Sequence, residues 1–303
     1  MSRIVITGAT GWLGRQTLDI LEQTTGDLFG SDLFLYSSKQ IEIKNSTVTK
    51  IVRPLRELVD ESPTNIDGVI HLAFLTRDKS RAIKHEEYLA NNLAITSTVA
   101  SFIRNARPKW VVSVSSGAIY DRNQELELDE FKNPYGFTKH IEENFLKEVC
   151  TQVGANLVIG RLWGAMGSRM PLNDNYAVSD FIQSALTRSE ILIKSAHRVQ
   201  RRYVNASDFM DLVLRIALSG RTCEFDSGGT LVEIGELAQM IAGELSNIEV
   251  IRPNLSPDTE DLYFSRSNEY EALCSEFGIE PSSLEQLVAM TINSHKKLLN
   301  LSP

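Results

Sequence analysis

Apolar positions along the chain fall into short β-branched runs separated by stretches with helical spacing. Arg3-Ile4-Val5-Ile6-Thr7 reads as a buried strand stopped by Gly8. From about Gly14 to Glu22 the spacing is helical, with Leu13, Leu18 and Leu21 on one side, and Leu33-Phe34-Leu35-Tyr36 reads as a second strand. Val69-Ile70-His71-Leu72-Ala73 is another, entered through the turn dipeptide Asp67-Gly68. Glu86 to Asn105 predicts a long helix and Trp110–Ser115 a strand. A second long helix runs from near Tyr135 to about Val153, before the strand Leu157–Gly160. Apolar strands of this length alternating with helices predict an α/β fold with a doubly wound parallel sheet.

Beyond about residue 165 the rhythm loosens. Gly167, Pro171, Asn173, Asp174 and Asn175 mark an irregular excursion, and Phe181 to Leu186 suggest a short helix. Further helices are expected over Ser207–Ser219, Ile234–Leu245 and Leu284–His295. No linker-like stretch separates the halves, so the second domain is expected to be built from excursions off the first.

Composition narrows the class of protein. The 303 residues are 42% hydrophobic and 23% charged, enough chain for about two domains and an ample core without disulfides or a structural metal. A net charge of −8 offers no general basic footprint for nucleic acid or a membrane surface. Cys150, Cys223 and Cys274 form no C-x-x-C pair, and the five histidines form no metal-ligand cluster. Met1-Ser2-Arg3 runs directly into the first strand, and no run of 18 apolar residues occurs. A soluble, cytoplasmic protein is therefore expected, with no metal.

Between the first strand and the first helix lies Thr7-Gly8-Ala9-Thr10-Gly11-Trp12-Leu13-Gly14. Strand, glycines and helix together are the context of a dinucleotide site. One glycine permits the turn, another lets backbone approach a pyrophosphate, a third allows close helix–strand packing, and the helix amino terminus faces the anion. An acidic residue about 20 positions on would bind the adenosine 2′-hydroxyl of NAD; this chain has Leu35-Tyr36-Ser37-Ser38-Lys39 there instead. Ser37, Ser38 and Lys39, with Arg15 as a further cation, suit a 2′-phosphate, so NADP(H) is favoured over NAD(H).

In Pro134-Tyr135-Gly136-Phe137-Thr138-Lys139, Tyr135 and Lys139 are four apart and share a helix face. They follow the strand ending Ser115-Ser116 by about 20 residues, so hydroxyl, phenol and ammonium can converge at the carboxyl ends of parallel strands. An adjacent ammonium is expected to favour the phenolate and draw Tyr135 down towards a useful acid–base range. Ser116 can orient a substrate carbonyl or hydroxyl beside Tyr135.

With these motifs in order, the chain resembles the extended short-chain dehydrogenase/reductase family, specifically its NAD-dependent epimerase/dehydratase group acting on nucleotide sugars. The resemblance spans about residues 3 to 245. Besides Thr7–Gly14 and Tyr135–Lys139 it rests on Val69–Ala73, Asn92–Thr96, Val114–Tyr120, Gly160-Arg161-Leu162, Arg201–Asp208 and Asp226-Ser227-Gly228-Gly229. It implies a Rossmann-type dinucleotide-binding domain over 1–165, with later segments of about 203–230 returning to it. Residues 166–303 would form mainly a smaller α/β substrate-binding domain. It implies Tyr135 as general acid/base, Lys139 as its electrostatic partner and ribose ligand, and Ser116 as the substrate-orienting hydroxyl. Gly8, Thr10, Gly11, Trp12, Leu13 and Gly14 would hold the pyrophosphate, and Leu55, Leu72, Ala73, Phe74 and Asn92 would line the cofactor cleft. His71 is expected to be a packed strand residue.

The chain departs from the family at two places. Arg53-Pro54-Leu55 stands where an Asp is frequent, and a common substrate-binding asparagine falls on Gly164. Arg161, Arg201 and Arg202 remain as candidate ligands of a substrate anion. Three functions follow: an NADP(H)-dependent reductase of a nucleotide-linked keto sugar of the 4-keto-6-deoxyhexose type, an NAD-dependent nucleotide-sugar epimerase, or a non-catalytic dinucleotide sensor, which would be expected to lose Tyr135 or Lys139. Dehydration is disfavoured because Gly117-Ala118 follows Ser116 where the family's dehydratases place Asp-Glu. Helices near Glu86–Asn105 and Tyr135–Val153 correspond to those of a four-helix homodimer interface, with Leu89, Leu93, Phe145, Leu146 and Val149 as its candidate core.

Overall fold

The computed structural model describes residues 2–23, 32–44, 49–61, 63–172, 176–256 and 259–301. Asn173, Asp174 and Asn175 lie outside the described residues. In chain order the elements of the first part are β1 (Arg3–Thr7), α1 (Trp12–Gln23), β2 (Asp32–Ser37), β3 (Ile41–Lys44), β4 (Thr49–Pro54), α2 (Glu57–Glu61) and β5 (Gly68–His71). They continue through α3 (His85–Ala106), β6 (Trp110–Ser116), α4 (Pro134–Val153) and β7 (Asn156–Leu162). Then come β8 (Ala165–Met166), α5 (Ala177–Arg188), β9 (Glu190–Leu192), β10 (Arg198–Asn205), α6 (Ala206–Leu218), β11 (Cys223–Asp226) and β12 (Thr230–Glu233). The chain ends with α7 (Ile234–Glu244), β13 (Glu249–Ile251), β14 (Glu260–Tyr263), α8 (Glu269–Glu276) and α9 (Leu284–Leu298).

The chain divides into two compact units, Met1–Leu162 with Met210–Phe225, and Trp163–Phe209 with Asp226–Pro303. The first is built on an eight-stranded sheet in the order β11-β7-β6-β5-β1-β2-β4-β3. From β1 the chain steps outward to β2 and β4 in parallel, then returns to pair β5 with the other edge of β1. That reversal makes β1 and β5 the switch point, where a doubly wound sheet opens a crevice at its carboxyl edge. The doubly wound sheet expected from the strand–helix alternation is present. Its edge corrects the all-parallel expectation: β3 runs antiparallel to β4. Four mostly exposed residues, Ile41-Glu42-Ile43-Lys44, carry too little apolar pattern to announce that strand.

The core explains the long helices. Val5, Tyr36, Val69, Val111 and Ile159 from the strands meet Val99, Phe102 and Ile103 of α3 and Leu146, Val149 and Cys150 of α4. Leu146 and Val149 therefore belong to the chain's own core, a correction to their place in a dimer interface. Leu93 and Phe145 remain exposed. All three cysteines are buried and none is in a disulfide. No helix among the described residues is long and apolar enough to cross a membrane.

The second unit holds what the loosened pattern concealed. β10 pairs antiparallel with β12 and parallel with both β14 and β8, while β13 pairs parallel with β9. The short helix expected near 181–186 is the twelve-residue α5. Two helices open on capping boxes, Glu233 with Glu236 before α7 and Ser283 with Gln286 before α9.

One packing constraint is severe enough to test. Gly68 opens β5 directly opposite Trp110 of β6, and a Cβ built there would lie 2.0 Å from the indole Cζ2. Gly68→Ala is therefore expected to destabilise the protein by about 1–3 kcal/mol through overpacking. Urea unfolding reads this; a midpoint unchanged from wild type would mean that the indole moves aside without cost.

Candidate active site

The loop after β1 is shaped first by its own backbone. Gly8 has φ +72°, and a Cβ there would lie 2.5 Å from the Leu72 carbonyl carbon; one on Gly14 would lie 2.3 Å from the Gly8 oxygen. These two glycines are required by the turn and by close helix–strand packing. Gly11 is different. A Cβ there would meet only the Gly8 oxygen, at 3.3 Å, and the residue is exposed. Space is thus left outside the turn, next to the amino terminus of α1, where a pyrophosphate would approach backbone N–H groups. Thr10 is exposed beside it, and Trp12 and Leu13 begin the helix, half-buried. The loop fits a dinucleotide.

Across the switch point, the Thr7 hydroxyl accepts the N–H groups of Leu72 (3.2 Å) and Ala73 (3.3 Å), fixing the segment that leaves β5. Asn92, on α3, accepts the Leu75 N–H at 2.8 Å, and Tyr88 donates to the Leu75 carbonyl at 2.7 Å. The Asn92 amide is spent on bracing this segment from beneath, and the half-buried Phe74 lies within it. At the end of β2, Ser37 is buried and donates to the Lys39 carbonyl (2.8 Å), which leaves Ser38 and Lys39 exposed. Leu55 is tied to the same turn, its N–H donating to the Ser37 carbonyl at 2.7 Å. No carboxylate stands between Tyr36 and Gln40.

Tyr135 and Lys139 are placed by the start of α4. Asn133 caps that helix, accepting the Gly136 N–H at 3.0 Å and donating to the Ala118 carbonyl at 2.6 Å. Gly136 permits the close approach: a Cβ there would sit 2.0 Å from the Ala118 oxygen. Ser116, at the end of β6, donates to the Leu162 carbonyl at 3.3 Å and hydrogen-bonds the Tyr135 phenol. The Tyr135 ring meets Phe74 edge-on at 5.8 Å, and the Lys139 ammonium lies over Phe74, 3.8 Å from its centroid. Ser116, Tyr135, Lys139 and Phe74 thus form one corner.

The electrostatics of that corner correct one expectation. Burial pushes the Tyr135 phenol up to about 12; the Ser116 hydrogen bond and Arg77 pull it down, and Glu142 pushes it further up. Lys139 does not bring it into the neutral range, because its ammonium is engaged elsewhere. It donates to the Val114 carbonyl (2.9 Å) and to both oxygens of Glu142 (3.1 and 3.3 Å). Glu142, only 1% exposed, also accepts from Ser113 (3.0 Å) and lies 3.8 Å from His71 Nε2. His71 Nδ1 is 2.7 Å from the Thr7 hydroxyl, and burial lowers the imidazole to about 4, so it is neutral. Glu142 is the residue that motif reading passed over. Its signal was the i,i+3 spacing from Lys139.

Arg161 lies on β7 and donates to Glu143 through Nε (2.8 Å) and Nη2 (2.7 Å), and to Glu224 (2.8 Å). It braces β7 against α4. In the second unit Arg201 pairs with Asp261 (2.9 Å), while Arg202, next along β10, donates to the Ser267 carbonyl and stands 4.0 Å from Glu271. Neighbouring strand positions face opposite ways, which sends these two guanidinium groups to different partners.

A family model described as the NAD dependent epimerase/dehydratase family matches residues 4–225. Among curated proteins the chain is similar to UDP-glucuronic acid decarboxylase 2 of Arabidopsis thaliana, 20% identical over 269 residues covering 84% of this chain. The chain spans about three fifths of that relative, 60% of its length. Among solved structures it is similar to the UDP-N-acetylglucosamine 4-epimerase from Methanobrevibacter ruminantium M1 in complex with UDP-N-acetylmuramic acid. The TM-score there is 0.78 at 20% identity, covering 98% of this chain and 99% of that one. RMD from Pseudomonas aeruginosa complexed with NADPH gives a TM-score of 0.74 at 16% identity, covering 98% and 100%. At such identities the structural likeness shows the fold.

The buried imidazole has a consequence for stability. His71 titrates near 4 when folded and near 6.5 when unfolded, so the unfolded chain binds more protons in between. Its contribution is complete above about pH 6.5 and is lost as pH falls towards 4. Between pH 7.5 and 5, His71→Asn is expected to lose about 2 kcal/mol less stability than wild type, read by urea unfolding at both values. Equal losses would place the acid sensitivity elsewhere.

Proposed function

The chain belongs to the NAD dependent epimerase/dehydratase family, and from that premise we propose that it is an NADP(H)-dependent reductase of a nucleotide-linked keto sugar, of the 4-keto-6-deoxyhexose type. The observation that carries the reading is the end of β2, where Ser38 and Lys39 are exposed and no carboxylate repels a 2′-phosphate. A cofactor that exchanges freely in its reduced form suits net reduction. A nicotinamide cofactor held in the crevice would supply hydride chemistry.

The chain's own residues do the rest. Gly8, Gly11 and the first turn of α1 would hold the pyrophosphate, Ser38 and Lys39 would meet the ribose phosphate, and Leu72, Ala73 and Phe74 would wall the crevice. Ser116 hydrogen-bonds the substrate carbonyl and aligns it with Tyr135. A phenol held near 12 is protonated at neutral pH, so Tyr135 is poised to give its proton to the oxygen on which negative charge develops. Lys139 stands one turn behind as the electrostatic partner of Tyr135, its ammonium on the Val114 carbonyl and Glu142. A homodimer is part of the proposal, with the exposed Leu93 and Phe145 as its contacts. Cytoplasmic location belongs to it as well.

Cofactor choice is tested by fluorescence titration with NADPH and NADH. Charge-assisted hydrogen bonds to the phosphate are worth about 1.5–3 kcal/mol each before desolvation, and a net 1.4 kcal/mol is about tenfold. NADPH is expected to bind at least about tenfold tighter than NADH, with Lys39→Asp reversing the order. Equal affinity would remove the ribose argument and leave the tyrosine chemistry standing.

Chemistry is tested with UDP- and dTDP-linked 4-keto-6-deoxyhexoses and NADPH. Tyr135→Phe is expected to lower kcat by about 10²–10⁴ with cofactor affinity nearly intact. Activity within tenfold of wild type would reject Tyr135 as the acid. NAD retained through purification, with no net oxidation or reduction during turnover, would make the protein an epimerase.

A further inference from the structure

Lys139, Glu142, Ser113, His71 and Thr7 are buried and interlocked behind Tyr135, and the reaction proposed above uses only Lys139. Lys139, 5% exposed, has its ammonium on Val114 and Glu142. Glu142 takes hydrogen bonds from Lys139 and Ser113, and faces His71 across 3.8 Å. His71 Nε2 has no hydrogen-bond partner among the described residues. Because the Thr7 hydroxyl already accepts two backbone N–H groups, its own proton is free to go to His71 Nδ1. That leaves the Nε2–H of the neutral ring aimed at the carboxylate. Every charge and dipole around Glu142 is thus arranged for an anion at that place.

A buried carboxylate is costly unless it is paired, and here its partner is the equally buried Lys139 ammonium. A bare ammonium one helical turn from Tyr135 would favour the phenolate, which can accept a proton and cannot give one. We propose that Glu142 is a positioning residue. Its carboxylate holds the Lys139 ammonium against β6 and balances its charge, so that Tyr135 keeps its proton and works as an acid. The inference rests on Tyr135 being the proton donor of the proposed reaction. It adds that the direction of proton transfer is set by a third residue, on the same face of α4.

The charged and titratable groups facing this cluster come from each element around it: Lys139 and Tyr135 on α4, His71 from β5, Arg77 from the segment after β5, and Tyr88 from α3. Of these Arg77 opposes Glu142 in its effect on Tyr135. The neutral His71 adds no net charge.

The test reads the Tyr135 proton directly and needs no substrate. Protein carrying 13Cζ-labelled tyrosine is titrated by NMR, with Tyr135→Phe identifying the Tyr135 signal among the eight tyrosines. Glu142→Gln is expected to increase the acid dissociation constant of Tyr135 at least about tenfold, and Glu142→Asp, which keeps the charge, to stay near wild type. Wild type and Glu142→Gln within about 0.3 unit of each other would overturn the proposal, as would a Glu142→Asp shift as large as that of Glu142→Gln. Should Glu142→Gln fail to fold around an unpaired ammonium, Lys139→Met is compared with Lys139→Met/Glu142→Leu. Tyr135 is expected to be the stronger acid in the double variant, and no difference would again overturn the proposal. These titrations are independent of whether NADPH reduces a keto sugar, so failure of the proposed function and failure of this inference are read separately.

Discussion

An ammonium taken out of water must have its charge answered within hydrogen-bonding reach, and meeting that requirement at Lys139 draws on four elements of the first unit. Lys139 is carried inside because it stands one turn after Tyr135, on the face of α4 that packs against β6. Its donors go to Val114 and Glu142. Glu142 draws in Ser113 and faces His71, and His71 leans on Thr7, whose hydroxyl holds the N–H groups of Leu72 and Ala73. Thr7 stands opposite His71 on β1 and β5, and His71 opposite Ser113 on β5 and β6. The polar chain closes only when all three parallel strands are in register. A slip of one residue would turn each of these side chains to the other face, so the network behind Tyr135 also enforces the sheet.

The same burial explains what could be read from the residues alone. Strands covered on both faces must be apolar throughout, which is why β1, β2, β5, β6 and β7 stood out as short continuous runs, within a residue or two of their ends. β10 has the sequence Arg-Val-Gln-Arg-Arg-Tyr-Val-Asn and is only partly buried along its middle; its charges hid a strand that three others pair with. That Tyr135, Lys139 and Ser116 meet in one corner was legible in residue type and spacing. Glu142 was not. A glutamate on a helix reads by default as a solvated surface residue, and the i,i+3 spacing from Lys139 does not by itself say that Glu142 and Glu143 both turn inward, one to Lys139 and the other to Arg161.

Ser37 and the arginines show the complementary error, in which a residue of suitable type is committed to the protein itself. Ser37 has a hydroxyl in the right stretch of chain, yet it is spent on the Lys39 carbonyl, shaping the turn that leaves Ser38 and Lys39 outside. Arg161 has the charge for a diphosphate and uses it to hold Glu143 and Glu224. The difference lies in tertiary partners that no local pattern encodes: Glu224 is 63 residues from Arg161, and Asp261 is 60 from Arg201. A guanidinium already satisfied by a carboxylate has less to gain from a second anion, because the first pairing must be given up.

The glycines divide by the same reasoning, and the division bears on function. Gly8, Gly14, Gly68 and Gly136 each face protein atoms that a Cβ would strike at 2.0–2.5 Å, so the fold alone requires them, whatever the protein binds. Gly11 lies in the same motif, yet its Cβ would meet one oxygen at 3.3 Å and otherwise open space. The fold presses on Gly11 at that one oxygen, and the rest of its surroundings is room beside the amino terminus of α1. Three glycines in a row of eight residues therefore carry two separate messages. Two describe how β1 turns into α1, and Gly11 marks the space where the proposed pyrophosphate would approach the helix amino terminus.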